Sequence, residues 1–307
     1  MGRAHSSPGA TRAIVSGVGV CGLLACALLI AAASTWRAAR APAQPVLSVP
    51  TTDAPAQPGA PVLSRDGVYV PSSLDPSRPI RVLLALHGQS GNGRRIAQRL
   101  QACAEQHGWL LVTPTMAYRN YLDPDQVRQD AEENLPRLHA LLANLRSQIT
   151  GVPLQPELLL YGFSRGAQMA HRFSLLYPRE VAAVAVLSAG SYTLPEDADP
   201  GHSPLEFPFG VADLQRVAGG AFDPVAFSRI PFWIGVGGAD TNPADTARAW
   251  DQLEGRTRVE RAQAFAQQLQ ARGVSTSLHI FGGTGHEETG AMRASACAFL
   301  AAQGSGA

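Results

Sequence analysis

The sequence predicts an α/β fold with a mainly parallel central sheet and helices on both faces. Three observations carry that prediction. Short apolar runs alternate along the chain with segments whose apolar residues recur every three or four positions. The apolar runs lack a polar alternate, as strands buried on both faces do. Several of them end in glycine-bearing turns, the place where α/β sheets present functional groups. With 307 residues, 45% hydrophobic and 16% charged, the chain has a globular composition and enough length for one large core.

The first part of the chain stands apart. Residues 13–36 carry no charge, with Arg3 and Arg12 before them and Arg37 and Arg40 after. Residues 1–37 therefore read as an export signal peptide or a membrane anchor. Ala31-Ala32-Ala33 suits cleavage, while the apolar stretch 14–30 exceeds the usual ~7–15 residues of a signal core, so cleavage and tethering both stand. Residues 38–61, rich in Ala, Pro and Gln, form a linker. Residues 62–303 are the single catalytic domain. The expected location is periplasmic or extracellular, with membrane contact only through the N-terminal segment.

Within that domain, residues 81–86 (RVLLAL) are the first buried strand, ending at His87-Gly88, and 94–106 have helical spacing. Residues 109–112 form a second strand closed by Thr113-Pro114. Over 123–149, Val127, Ala131, Leu135, Leu138, Leu142, Leu145 and Ile149 make one helix face, which Pro136 is expected to kink or split. A strand at 158–161, a helix at 167–177 and a strand at 181–187 follow. After an insertion at 190–230 comes a strand at 232–236. Thr257-Arg258-Val259-Glu260 is a capping box opening a helix that stops at Gly273. A strand at 275–281 and a helix at 287–300 complete the pattern.

Composition excludes whole classes. All 25 basic residues are arginine, which removes P-loop NTPases, Schiff-base enzymes and pyridoxal-phosphate enzymes, each dependent on a lysine amine. The formal charge of +1, without a basic cluster interleaved with aromatics, argues against a nucleic-acid partner. Four cysteines without C-x-x-C spacing give no zinc site, and no metal or organic cofactor is implied.

Residues 162–166, GFSRG, match G-x-S-x-G between an apolar strand and a helix. The glycines admit close backbone approach at a sharp turn, and Ser164 projects near the positive end of the following helix. A serine hydroxyl needs a base, and the base an orienting acid. Of the histidines after Ser164, His171 falls in the elbow helix, His202 in the insertion and His279 inside a strand. His286, in the GGTGH loop at 282–286, has the reach to act as base. Asp240 ends the strand and turn GVGGAD and is the candidate acid, with Asp245 and Asp251 as alternatives. The N–H groups of Arg165 and of Gln89, in the turn HGQSG at 87–91, are the expected oxyanion donors. His87 shapes that turn.

Taken together, HGQ at 87–89, the GFSRG elbow, Asp240 and His286 resemble the α/β-hydrolase superfamily over roughly residues 62–301. The single-glycine HGQ turn is similar to the exported esterase branch that includes polyhydroxyalkanoate depolymerases and feruloyl or acetylxylan esterases. An HGGG run is missing, and 45 residues separate Asp240 from His286, more than a single helix and strand require. The resemblance implies a serine esterase acting on a small-molecule or polymeric ester through Ser164, His286 and Asp240. The alternatives are a serine peptidase on the same fold and an inactive hydrolase used for binding. It also implies that 190–230 forms a cap over the elbow, with Tyr192, Phe207 and Phe209 lining the pocket beside Tyr118 and Tyr121. Cys103 and Cys297 would sit on the first and last helices, on one face of the sheet. There they either bond, as an oxidising compartment permits, or stay two buried thiols.

Overall fold

Strands β1 (Val68–Tyr69), β2 (Ile80–Leu86), β3 (Leu110–Val112), β4 (Leu154–Phe163), β5 (Val181–Leu187), β6 (Phe232–Gly237) and β7 (Thr276–Phe281) join in one sheet, ordered β1-β3-β2-β4-β5-β6-β7. The computed structural model describes residues 67–149 and 152–303. The signal-or-anchor segment 1–37, the linker 38–61, Cys21 and Cys26 lie outside the described residues. Every neighbouring pair is parallel except β1, a two-residue edge strand antiparallel to β3. All residues of β2, β3 and β6 are buried, because helices cover both faces.

Side chains alternate across the sheet. Val82, Leu84 and Leu86 point into the larger core, under helices α2 (Pro124–Gln148), α3 (Arg165–Leu176) and α7 (Arg258–Ala271). Leu83 and Ala85 face the other core, under α1 (Gly93–His107) and α8 (Gly290–Gln303). On this second face the Cys103–Cys297 disulfide joins α1 to α8, with Cα atoms 6.2 Å apart. The thiols left open by the sequence are therefore bonded.

Pro136 neither ends nor splits α2, which runs unbroken for 25 residues. Its ring lies on the exposed face of the helix. The apolar face continues beneath it through Leu135, Leu138, Leu142 and Leu145. The start of α2 is set by the Asp123 cap followed by Pro124, and that of α7 by the Thr257–Glu260 capping box.

The insertion at 190–230 contains two short helices, α4 (Leu214–Ala218) and α5 (Pro224–Phe227), in otherwise irregular chain. A four-residue helix, α6 (Asp251–Glu254), takes up part of the long interval between Asp240 and His286. Among the described residues no helix is long and apolar enough to cross a membrane.

Register decides what the sheet can present. Leu86 pairs with Gly162, Phe163 with Leu187, Leu187 with Gly235, and Gly237 with Phe281. The carboxyl ends of β2, β4, β6 and β7 are thus drawn together, and the turns that follow carry Gln89, Ser164, Asp240 and His286.

Candidate active site

The turn after β4 is tight. Ser164 has φ 55° and ψ −115°, a backbone conformation that side chains other than glycine avoid. Its N–H donates to the Leu187 carbonyl at 2.8 Å, which ties the turn to β5. The next residue but one must be glycine, since a Cβ on Gly166 would stand 1.9 Å from the Leu86 carbonyl oxygen. The helix starts against β2, and the serine side chain is left at the tip.

Three side chains meet above the sheet. Ser164 Oγ lies 3.0 Å from His286 Nε2, and His286 Nδ1 lies 2.7 Å from Asp240 Oδ2. Asp240 accepts only, so Nδ1 carries the proton and Nε2 is free to accept from the serine hydroxyl. The carboxylate is 2% exposed and the imidazole 31%, which leaves the ring accessible from the cavity. Burial pushes the Asp240 carboxyl upward. The hydrogen bond from His286 and the charge of Arg258 outweigh that, and the group titrates below the usual carboxylate range.

Neighbouring turns hold this arrangement. The Asp240 turn is bonded to the histidine loop by Gly238 N–H to the Phe281 carbonyl at 2.7 Å and Ala239 N–H to the Thr284 carbonyl at 2.8 Å. A Cβ on Gly237 would fall 2.2 Å from the Gly285 oxygen, so only glycine lets the loop cross β6. The His286 ring stacks on Phe163 with centroids 5.2 Å apart. Two residues on, Glu288 accepts from Tyr161 Oη on β4 and from Arg99 on α1.

Gln89 and Arg165 border the cavity beside Ser164, and their backbone N–H groups donate to no other described residue. Gln89 Nε2 reaches the Tyr118 carbonyl at 3.4 Å, which steadies its loop. The Arg165 side chain turns inward, 1% exposed. It donates to Asp130 of α2 and to Gln168, with its guanidinium 5.3 Å from the Tyr118 ring centroid. Asp130 thereby anchors the elbow helix, a role that nothing in its sequence context marks.

The cavity measures about 380 Å³, and Tyr121 lines it together with Phe163, Gln168, Gly190, Asp245 and Arg258. The other proposed lining residues lie elsewhere. Tyr118 donates to the His87 carbonyl at 3.1 Å and so holds the turn after β2. Tyr192 is buried and stacks on Phe265 at 4.2 Å, Phe207 is buried in the larger core, and Phe209 packs on Trp250 at 4.6 Å. The insertion is irregular chain, and its aromatics serve to fix it to the core. Among the described residues of the insertion, Gly190 borders the cavity.

The remaining candidates have other partners. His171 is fully buried, with Nδ1 against the Ala167 carbonyl and Nε2 accepting from Thr193 N–H, both at 2.9 Å. His87 Nε2 accepts from Met116 N–H at 2.9 Å. His279 stacks on Trp233, and Asp251 pairs with Arg261. His202 sits exposed in the insertion. Asp245 borders the cavity, but Asp240 is the carboxylate hydrogen-bonded to His286. Arg258, which the capping-box pattern assigns only to a helix start, donates from Nη1 to Asp240 Oδ1 at 2.9 Å. Among the described residues no three His, Cys, Asp or Glu side chains converge as metal ligands would.

The parallel sheet, its flanking helices and the strand–turn–helix at Ser164 define an α/β-hydrolase fold. Solved structures share it at low sequence identity. Poly(aspartic acid) hydrolase-1 from Sphingomonas sp. KT-1 is 20% identical, with 76% of this chain and 91% of that one covered at a TM-score of 0.59. TT1662 from Thermus thermophilus is 21% identical, covering 78% and 93% at 0.53. Esterase PE8 is 20% identical, covering 76% and 95% at 0.50. No known family profile and no curated protein matches the chain.

Proposed function

We propose that this chain is a serine hydrolase that cleaves carboxylic esters through an acyl-enzyme. One observation carries the reading: the unbroken line of hydrogen bonds from Ser164 Oγ to His286 Nε2 and from His286 Nδ1 to Asp240 Oδ2. Ser164 Oγ attacks the ester carbonyl as its proton passes to Nε2. The Gln89 and Arg165 N–H groups receive the charge that develops on the carbonyl oxygen. The imidazolium, steadied by Asp240, protonates the departing alcohol. Water then enters, gives its proton to Nε2 and releases the acid, restoring Ser164.

The likeness of the HGQ turn to exported depolymerases and feruloyl esterases belongs to the same proposal. So does export: the Cys103–Cys297 disulfide is the kind of bond that persists in an oxidising compartment. A second reading, amide cleavage at the same serine, is favoured by the fold shared with a protein named a poly(aspartic acid) hydrolase. A panel of p-nitrophenyl acetate, butyrate and octanoate beside aminoacyl anilides separates the two. Turnover of esters that Ser164→Ala abolishes supports the first reading. Anilide turnover without ester turnover supports the second, and turnover of neither overturns both.

A further inference from the structure

Two side chains lining the cavity beside Ser164 each carry an N–H donor with no acceptor among the described residues. Gln168, in the first turn of α3, is 2% exposed. Its Oε1 accepts from Arg165 Nη1 and from Arg172 Nη1, the latter at 3.3 Å. Two cationic donors thus fix which end of the amide is oxygen. Nε2 is left with no acceptor among the described residues. Arg258, 4% exposed, donates from Nη1 to Asp240 and from Nη2 to the Asp245 carbonyl at 2.7 Å, while its buried Nε has no partner.

Both free donors border the same glycine. A Cβ on Gly190 would stand 2.9 Å from Gln168 Nε2 and 3.9 Å from Arg258 Nε. The missing side chain leaves a notch in the cavity wall, and the notch offers donors only. Arg258 Nε is a buried donor, and buried donors are ordinarily satisfied; with Gln168 Nε2 beside it, the notch fits an oxygen acceptor. Two features choose its charge. The Arg258 cation is already paired with Asp240, and the acidic residue Asp245 lines the same cavity. A neutral carbonyl meets both conditions, whereas a carboxylate would face Asp245.

We propose that the notch at Gly190, Gln168 and Arg258 is a specificity subsite for a second, neutral carbonyl on the substrate. The enzyme then prefers esters bearing a further keto, ester or amide carbonyl to plain alkyl esters. The proposal rests on the esterase reading of Ser164.

The test compares p-nitrophenyl 4-oxopentanoate and 5-oxohexanoate with the pentanoate and hexanoate. In each variant the ratio of kcat/KM for oxo over plain ester is measured, so that intrinsic reactivity cancels between variants. Gln168→Glu keeps an oxygen for the two arginines and removes the donor. Gly190→Ala fills the notch. At least one oxo ester should show a ratio roughly five- to tenfold higher in the wild type than in either variant. Equal ratios in all three proteins overturn the subsite. A stronger preference for p-nitrophenyl hydrogen glutarate than for either oxo ester overturns the neutral-carbonyl assignment. Calorimetric titration of full-length Ser164→Ala with methyl 4-oxopentanoate and 5-oxohexanoate and their plain counterparts needs no turnover. Roughly five- to tenfold tighter binding of an oxo ester, lost on adding Gly190→Ala, supports the subsite even if no ester is cleaved, in which case the esterase reading alone falls. Equal binding overturns the subsite.

Discussion

Arg258 Nη1 lies 2.9 Å from Asp240 Oδ1, the carboxylate oxygen that His286 does not use. The carboxylate is clamped from two sides, one clamp being His286, which contacts Ser164, and the other anchored at the start of α7. The arginine side chain is 5% exposed and the aspartate 2%, so neither charge is relieved by water.

Removing the arginine should therefore cost more than a surface ion pair would. Arg258→Met is expected to destabilise the domain by about 3–5 kcal/mol, because it leaves Asp240 buried against one partner. Ester turnover should fall with it, as Asp240 loses the contact that sets its orientation. Arg258→Lys restores the charge but cannot span Asp240 and the Asp245 carbonyl as a fork, and should recover only part of the loss. Urea denaturation beside kcat measurement checks both. Wild-type stability in Arg258→Met would refute the clamp.

The elbow stores strain at Ser164, whose φ is 55°. Glycine adopts such a conformation freely and alanine does not. Two inactive variants should thus differ in stability, with Ser164→Gly more stable than Ser164→Ala by about 1–3 kcal/mol. Thermal melts of the pair give the answer, and equal Tm values would place the turn's constraint elsewhere.

The Cys103–Cys297 bond closes a loop with a sequence separation of 194. Chain-entropy arguments give a long loop the largest effect, and about 2–4 kcal/mol is typical. The double variant Cys103→Ser, Cys297→Ser should unfold at correspondingly lower denaturant, and reductant should shift the wild type but not the variant. Coincident curves with and without reductant would contradict this.

Stability should also depend on pH through His171. Burial, with the neighbouring Arg172 charge adding to it, holds its imidazole well below the ordinary value of 6.5, so it stays neutral in the folded protein. The unfolded chain's histidine takes up a proton below about 6.5. Unfolding therefore binds a proton as pH drops, and His171 removes stability below 6.5 at up to about 1.4 kcal/mol per pH unit. His171→Gln should show a flatter fall in unfolding free energy between pH 6.5 and pH 5 than the wild type. Parallel slopes would mean that the ring titrates in place.

Much of this was legible in the sequence because it is local. The runs at 81–86 and 181–187 lack polar alternation, and they are buried strands at nearly those positions. Ser164 and Asp240 each follow the end of an apolar strand and His286 the end of the partly exposed β7, and parallel register brings such ends together. What escaped depends on packing between distant segments. Pro136 looked like a break because its exposed face was unknown. Tyr192, Phe207 and Phe209 looked like pocket walls because aromatics in an insertion serve equally to anchor it. The two-residue β1 is too short to carry a period. Arg258 and Gln168 are ordinary helix residues until the fold sets them against Asp240, the two arginines and Gly190.

The reactivity of Ser164 tests the account most directly. A fluorophosphonate probe mixed with the folded protein, followed by intact and peptide mass measurement, should find one adduct, on Ser164, forming about 10²–10⁴-fold more slowly in His286→Ala. An adduct on another residue, or a labelling rate unchanged by the loss of His286, would contradict it.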